Sequence, residues 1–233
     1  MLRGIRITRY PSCAVPSVLL AVILIVAAGE KSVAQSLPNP YRMVESWAAL
    51  AEGRQMGAVG DVMMDPDGEH VWAVVRCDAT APDRFGNECL DSDLDSILKF
   101  NLAGEVVQSF GGGLFIWPHG IFIDSDGNVW VTDAVAAERT PSGTRGHQVV
   151  KFSPEGDILM TLGTPGQPGS DNDHFNSPSD VLVGNNGDIF VVDGHGTETN
   201  NRIMKFSSDG RFLHSWGKTG YGPGEFHGPH AIA

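Results

Sequence analysis

Positive charge is what this sequence has least of. Lysine and arginine number 16 against 28 aspartate and glutamate residues, a formal net charge of −12. A chain so acidic is not built to live on nucleic-acid phosphates or anionic lipid, so any functional cation is a single placed side chain. Cysteine is nearly absent, at three residues, and the spacing of Cys77 and Cys89 is not that of a Cys-x-x-Cys metal hook. No stretch after residue 57 has helical periodicity. No serine stands in a nucleophile elbow. Gly217-Lys218-Thr219 ends like a phosphate loop, but Phe212 occupies the place of the leading glycine. Asp124 to Asn128 has the start of a calcium loop without its distal glutamate, so it reads as a turn.

Against these absences stand 29 glycines and 14 prolines in a chain that is 41% hydrophobic, which means a globular protein with many turns. Arg3, Arg6 and Arg9 precede an uncharged run of 19 residues, Pro11 to Gly29, and Ser32-Val33-Ala34 follows. That order is a signal peptide with cleavage expected after Ala34. The run is also long enough to remain as an uncleaved anchor, the one way this chain would meet a membrane. Either way the remainder is expected to be exported, periplasmic or secreted. Without residues 1–34 the chain holds 12 basic and 27 acidic residues, a net charge of −15. Cys77 and Cys89 then form an even pair in an oxidising compartment, and a disulfide between them is expected. Residues 35–56 read as a linker, in which Tyr41 to Leu50 is compatible with one short helix.

The rest of the chain, 57–233, repeats itself. Asp65-Pro66-Asp67-Gly68 is followed by Val71-Trp72-Ala73-Val74, Ile97-Leu98-Lys99-Phe100 and Phe110-Gly111. The same order recurs from Asp124 through Val149-Val150-Lys151-Phe152 and from Asn185 through Ile203-Met204-Lys205-Phe206. The turn glycines Gly68, Gly127 and Gly187 are 59 and 60 residues apart, and the Lys-Phe pairs 52 and 54. A fixed period of this size means a repeat architecture. About four short β-branched and aromatic strands per unit make each repeat a propeller blade, and the fold class all-β. Three repeats and the start of a fourth cannot close a ring, so the sequence reads as the N-terminal part of a longer propeller.

His119 and His230 occupy the same place in repeats two blades apart, 111 residues along the chain, where the other repeats have Gly60 and Ser179. Equivalent positions of innermost strands converge near the axis of a propeller. In a ring of six blades this alternate pattern calls for one more histidine about 110 residues beyond His230. Three imidazoles with a fourth position open are a catalytic zinc arrangement; the alternative is that each histidine caps a strand start and bonds the neighbouring backbone. Arg76, after an apolar strand, is either a cation for a substrate carboxylate or the partner of Asp78, Asp91 or Asp93. His195, between Gly194 and Gly196, is either a general base or an exposed loop residue. His147 opens a strand and reads as structural, while His174, His214 and His227 read as surface. The methionines, Met63 among them, read as core filler.

Pro118-His119-Gly120-Ile121, the stretch from Gly127 to Asp133, His147-Gln148-Val149 and Pro229-His230 resemble NHL-repeat six-bladed β-propellers, and among them the peptidyl-α-hydroxyglycine α-amidating lyase family. The resemblance runs from about Gly57 to Ala233. It implies a zinc held by three histidines, with His119 and His230 filling two of the family positions and the third beyond Ala233. It also implies a structural calcium, whose ligands are not placed here. Arg76 matches the family's catalytic arginine. The position of the family's catalytic tyrosine, after Asp193-Gly194, holds His195 instead. The implied substrate is a small peptide ending in α-hydroxyglycine, split into a peptide amide and glyoxylate. The competing expectation is a non-catalytic propeller that binds peptide or glycan outside the cytoplasm.

Overall fold

A computed structural model of the chain describes residues 39–51, 53–78, 88–140, 143–196 and 198–233. The expected signal segment and its expected cleavage point lie outside the described residues. Among the described residues no helix is long and apolar enough to cross a membrane. The chain divides into two units, Met1–Met43 and Val44–Ala233. Of the first, residues 39–43 are described; they are exposed and carry no helix or strand.

The second unit is three four-stranded antiparallel sheets, each a simple meander. The first holds β1 (Val59–Met64), β2 (His70–Val75), β3 (Ile97–Asn101) and β4 (Val106–Phe110). The second holds β5 (Pro118–Ile123), β6 (Val129–Asp133), β7 (Val149–Phe152) and β8 (Ile158–Leu162). The third holds β9 (Pro178–Val183), β10 (Ile189–Asp193), β11 (Arg202–Phe206) and β12 (Phe212–Trp216). These are the propeller blades that the repeats imply. Gly68, Gly127 and Gly187 take positive φ in the turns between the first two strands of each blade, a conformation that carries no Cβ penalty in glycine. The single helical turn among the described residues is the 3-10 turn Ala137–Arg139.

Alternation along each strand sends side chains to both faces of the blade, so each blade feeds two cores. Val129 and Val131 point toward the first blade and pack with Trp72, Val74, Ile97, Phe115 and Phe152. Trp130, between them, points the other way and packs with Phe175, Ile189, Val191, Met204 and Phe206. One polar motif recurs in each blade, its lysine on the third strand. Lys99, Lys151 and Lys205 pair with Asp65, Asp124 and Asp188. Each ammonium lies 5.0 to 5.4 Å from the ring of Trp72, Trp130 or Phe190. The spacing of the Lys-Phe pairs in the sequence is the spacing of this motif.

Two details differ from the sequence reading. Tyr41 to Leu50 forms no helix. Trp47 packs on Phe100 with ring centroids 5.5 Å apart, and Ala49 pairs its backbone with the Gly104–Glu105 turn. Burial against the first blade outweighs the weak local helix preference. The expected linker therefore contributes Trp47, Ala48, Leu50 and Met56 to the core of that blade. Cys77 and Cys89 are joined by the expected disulfide, beside the loop that carries Arg76.

Candidate metal centre

Each inner strand is interrupted at one equivalent place. In β1 the register against β2 slips between Val59 and Asp61, leaving Gly60 extra. In β5 it slips between Pro118 and Ile121, so that His119 and Gly120 stand opposite one residue of β6. In β9 the extra residue is Ser179. A bulge re-aims the side chain it carries, and here it occurs at the repeat position that holds a histidine in alternate blades. Glycine is needed where these strands approach. A Cβ on Gly60 would stand 2.6 Å from the His119 carbonyl oxygen, and one on Gly120 would stand 2.7 Å from that of Ser179.

His119 is buried, and its Nδ1 lies 2.8 Å from the carbonyl oxygen of Ser179. A carbonyl only accepts, so Nδ1 carries the proton and Nε2 keeps the lone pair. Gly120 donates its N–H to Thr132 Oγ1 at 2.8 Å, and Ile121 donates to Asp61 Oδ2 at 3.2 Å. His230 is bracketed in the same manner. Gly228 N–H donates to Asn201 Oδ1 at 3.0 Å, Ser179 Oγ donates to the Pro229 carbonyl at 3.1 Å, and Ile232 N–H donates to Asp180 Oδ2 at 2.9 Å. His195 comes from the loop after β10. There Thr199 Oγ1 donates to the Gly196 carbonyl at 2.7 Å, and Gly194 passes so close to Asn201 that a Cβ would meet its backbone nitrogen at 2.8 Å.

These three histidines meet. The ring centroids of His119, His195 and His230 are 4.6, 4.6 and 4.7 Å apart, and His195 Nε2 is 3.0 Å from His230 Nε2. One ligand atom from each lies within 4.8 Å of the others. Burial holds His119 neutral, with its pKa pushed down to about 3, helped by the neighbouring imidazoles and Arg76. Burial lowers that of His195 as well, with His230 and Arg76 adding to it. Neutral rings with free lone pairs are what a metal requires, and an all-imidazole set suits zinc, copper, nickel or iron. The residues present therefore fit a transition metal. The repeat spacing places the third histidine past Ala233, and the family resemblance gives His195 to proton transfer. The structure brings His195, from the loop after β10, to the same point as His119 and His230.

No protein-family model matches the chain. It is 39% identical over 175 residues to the peptidyl-glycine alpha-amidating monooxygenase of Mus musculus, covering 71% of this chain and 16% of that protein. It is 34% identical over 168 residues to a probable peptidyl-alpha-hydroxyglycine alpha-amidating lyase of Caenorhabditis elegans, covering 69% and 44%. NHL repeat-containing protein 3 of Homo sapiens is 41% identical over 120 residues, covering 49% and 33%. The chain has NHL propeller repeats resembling those of amidating lyases. It spans less than half the length of these relatives. Among solved structures, a Bacteroides thetaiotaomicron protein of unknown function superposes with a TM-score of 0.50 at 19% identity, over 76% of this chain and 42% of that one.

In this lyase-like propeller Arg76 lies beside the histidines. Its guanidinium carbon sits 3.8 Å from the centroid of the Trp117 ring, and its Nε donates to the Pro118 carbonyl at 3.4 Å. Burial lowers its pKa to about 10, and Arg139 nearby adds to that. It stays a cation at neutral pH. Trp117 also packs edge-on against His195, at 4.8 Å between centroids, so one indole covers both groups. A cavity of about 310 Å³ opens beside His195, lined by Trp117, Asn176, Arg139, His195, Glu198 and Thr199 among others, while Arg76, His119 and His230 do not line it. Arg139 pairs at its rim with the buried Glu88. Neither Trp117 nor Arg139 was legible as a site residue from the sequence, since no repeat position marks them.

The other histidines lie elsewhere. His70 pairs with Asp67 and His174 with Asp171; His214 stacks on Trp216 and His227 on Tyr221. His147 is fully buried between blades. Its Nδ1 accepts the Ser177 N–H at 3.2 Å, and its Nε2 donates to Thr140 Oγ1 at 2.7 Å.

Proposed function

We propose that the chain is the histidine-bearing part of an exported, metal-dependent lyase that splits the carbinolamide C–N bond of a peptide ending in α-hydroxyglycine. The observation that carries the reading is the convergence of His119, His195 and His230 beside Arg76 and a cavity of about 310 Å³. The names of the relatives supply the reaction class. His119 and His230 would hold the metal, with zinc the expected ion. A bound zinc polarises a hydroxyl and makes its proton easy to remove.

In this reading the cavity receives the C-terminal end of the peptide. The Arg76 guanidinium, fixed on Trp117, grips the carboxylate of the substrate and steadies the negative charge that develops on the hydroxyl oxygen. His195 Nε2 accepts the hydroxyl proton. The oxygen then forms the carbonyl of glyoxylate as the C–N bond breaks. The bonding pair stays on nitrogen, which takes up a proton and leaves as the peptide amide.

The test is release of glyoxylate from an α-hydroxyglycine-extended peptide by the zinc-loaded protein. Release is expected, with kcat/KM falling about 100-fold or more in Arg76→Ala. A metal-loaded protein that releases none refutes the reading. It would favour the non-catalytic platform that binds peptide or glycan, which the likeness to NHL repeat-containing protein 3 also supports.

A further inference from the structure

We infer that His195 is itself a metal donor, so that in the substrate-free protein three imidazoles from this chain, His119, His195 and His230, hold the ion together. This rests on the metal part of the proposed function and adds a ligand to it. Two tetrahedral ligands at the ~2.0–2.1 Å of a zinc–imidazole bond are about 3.3 Å apart. His195 Nε2 and His230 Nε2 are 3.0 Å apart, within a few tenths of an ångström of that edge. The three rings are nearly equidistant, which a simple His195–His230 hydrogen bond does not require of His119.

The surroundings hold each ring in place. Ser179 fixes the tautomer of His119, Asn201 and Ser179 hold the segment that carries His230, and Trp117 blocks one side of His195. His195 sits on a backbone with glycine on both sides, so the loop can bring the imidazole in without side-chain bulk from its neighbours. A coordinated Nε2 has no lone pair for a proton. Donation to the ion therefore belongs to the substrate-free state, and the proton-accepting role to the state in which substrate has taken that position. The side chain is intermediate in exposure, which leaves it room to make both contacts.

The experiment is a cobalt(II) titration of the 233-residue protein read by its visible d–d absorption, with far-UV circular dichroism as the check on folding. Cobalt replaces zinc in such sites, and its spectrum reports the number and kind of ligands. Wild type is expected to bind one equivalent with an intense, tetrahedral spectrum. His195→Ala is expected to lose about 100-fold in affinity or more and to give a weaker, shifted spectrum, and His195→Asn, which keeps a polar side chain, the same loss. His214→Ala, away from the cluster, should match wild type. If folded His195→Ala and His195→Asn bind cobalt with wild-type affinity and spectrum, while His119→Ala does not bind, His195 is not a donor and the inference is overturned. If wild type binds no cobalt, the metal reading fails and the inference with it. Loss of glyoxylate release with cobalt binding intact counts against the lyase reaction alone.

Discussion

Replacing His147 by glutamine isolates a pH-dependent part of the stability of this fold. The imidazole is fully buried and neutral, accepting from Ser177 N–H and donating to Thr140 Oγ1. Burial pushes its pKa down to about 4 from an ordinary value of 6.5. Between those values the unfolded chain binds a proton that the native one refuses, so this contribution is complete above pH 6.5 and is lost as the pH falls toward 4. At pH 4 the loss amounts to ~3 kcal/mol, since moving a pKa by one pH unit corresponds to about 1.4 kcal/mol. The total curve will not show it plainly. Burial raises the Asp133 carboxyl to about 6, and a raised carboxyl adds stability that is present at low pH and lost as pH rises through 6. The two opposing effects overlap, so the measurement is a difference. Glutamine offers a donor and an acceptor in place of the two ring nitrogens and does not titrate. Urea unfolding of both proteins, followed by far-UV circular dichroism from pH 7 to pH 4, gives two curves. The advantage of wild type over the variant at pH 7 should shrink by ~3 kcal/mol at pH 4. Parallel curves would refute the reasoning, because they would mean that His147 binds its proton equally in both states.

Gly60→Ala should cost about 1–3 kcal/mol in urea unfolding and weaken cobalt binding together, since the new methyl group meets the carbonyls of Pro118 and His119 at 3.0 and 2.6 Å. Unchanged cobalt affinity would show that the strand carrying His119 tolerates the push. Reducing the Cys77–Cys89 bridge, whose cysteines are 12 residues apart, should lower stability by ~3 kcal/mol, read as a shift of the urea midpoint with and without reductant.

The repeats were readable because they rest on local chemistry. Turn glycines and the Lys-Phe pairs recur at a nearly fixed spacing, and they mark the first turn and the third strand of each folded blade. The nearness of His119 and His230 was readable for the same reason, as equal positions in a repeat map to neighbouring points. What the repeat does not encode was not legible. The bulges at Gly60, His119 and Ser179 depend on pairing across strands, and no local pattern announces them. The position of His195 depends on an irregular loop that Thr199 ties to the Gly196 carbonyl and to Asn201, and no repeated pattern announces that loop. A closer signal was available: the residue after the second strand of the first blade is Arg76, and the loops that carry Arg76 and His195 leave corresponding strands. Trp117, which joins them, belongs to no repeated motif.

The carboxylates of Asp61 and Asp180 each reach out of their own blade to an amide two residues past a histidine of the next, Ile121 in one case and Ile232 in the other. The geometry at each imidazole is thus set partly by its predecessor in the ring. A blade lifted out and grafted into another propeller would carry its histidine but leave behind the tether that aims it. The modules of this protein are interchangeable in shape and not in order, and a shuffled version with every residue retained should fold into similar blades and still fail to gather its ligands.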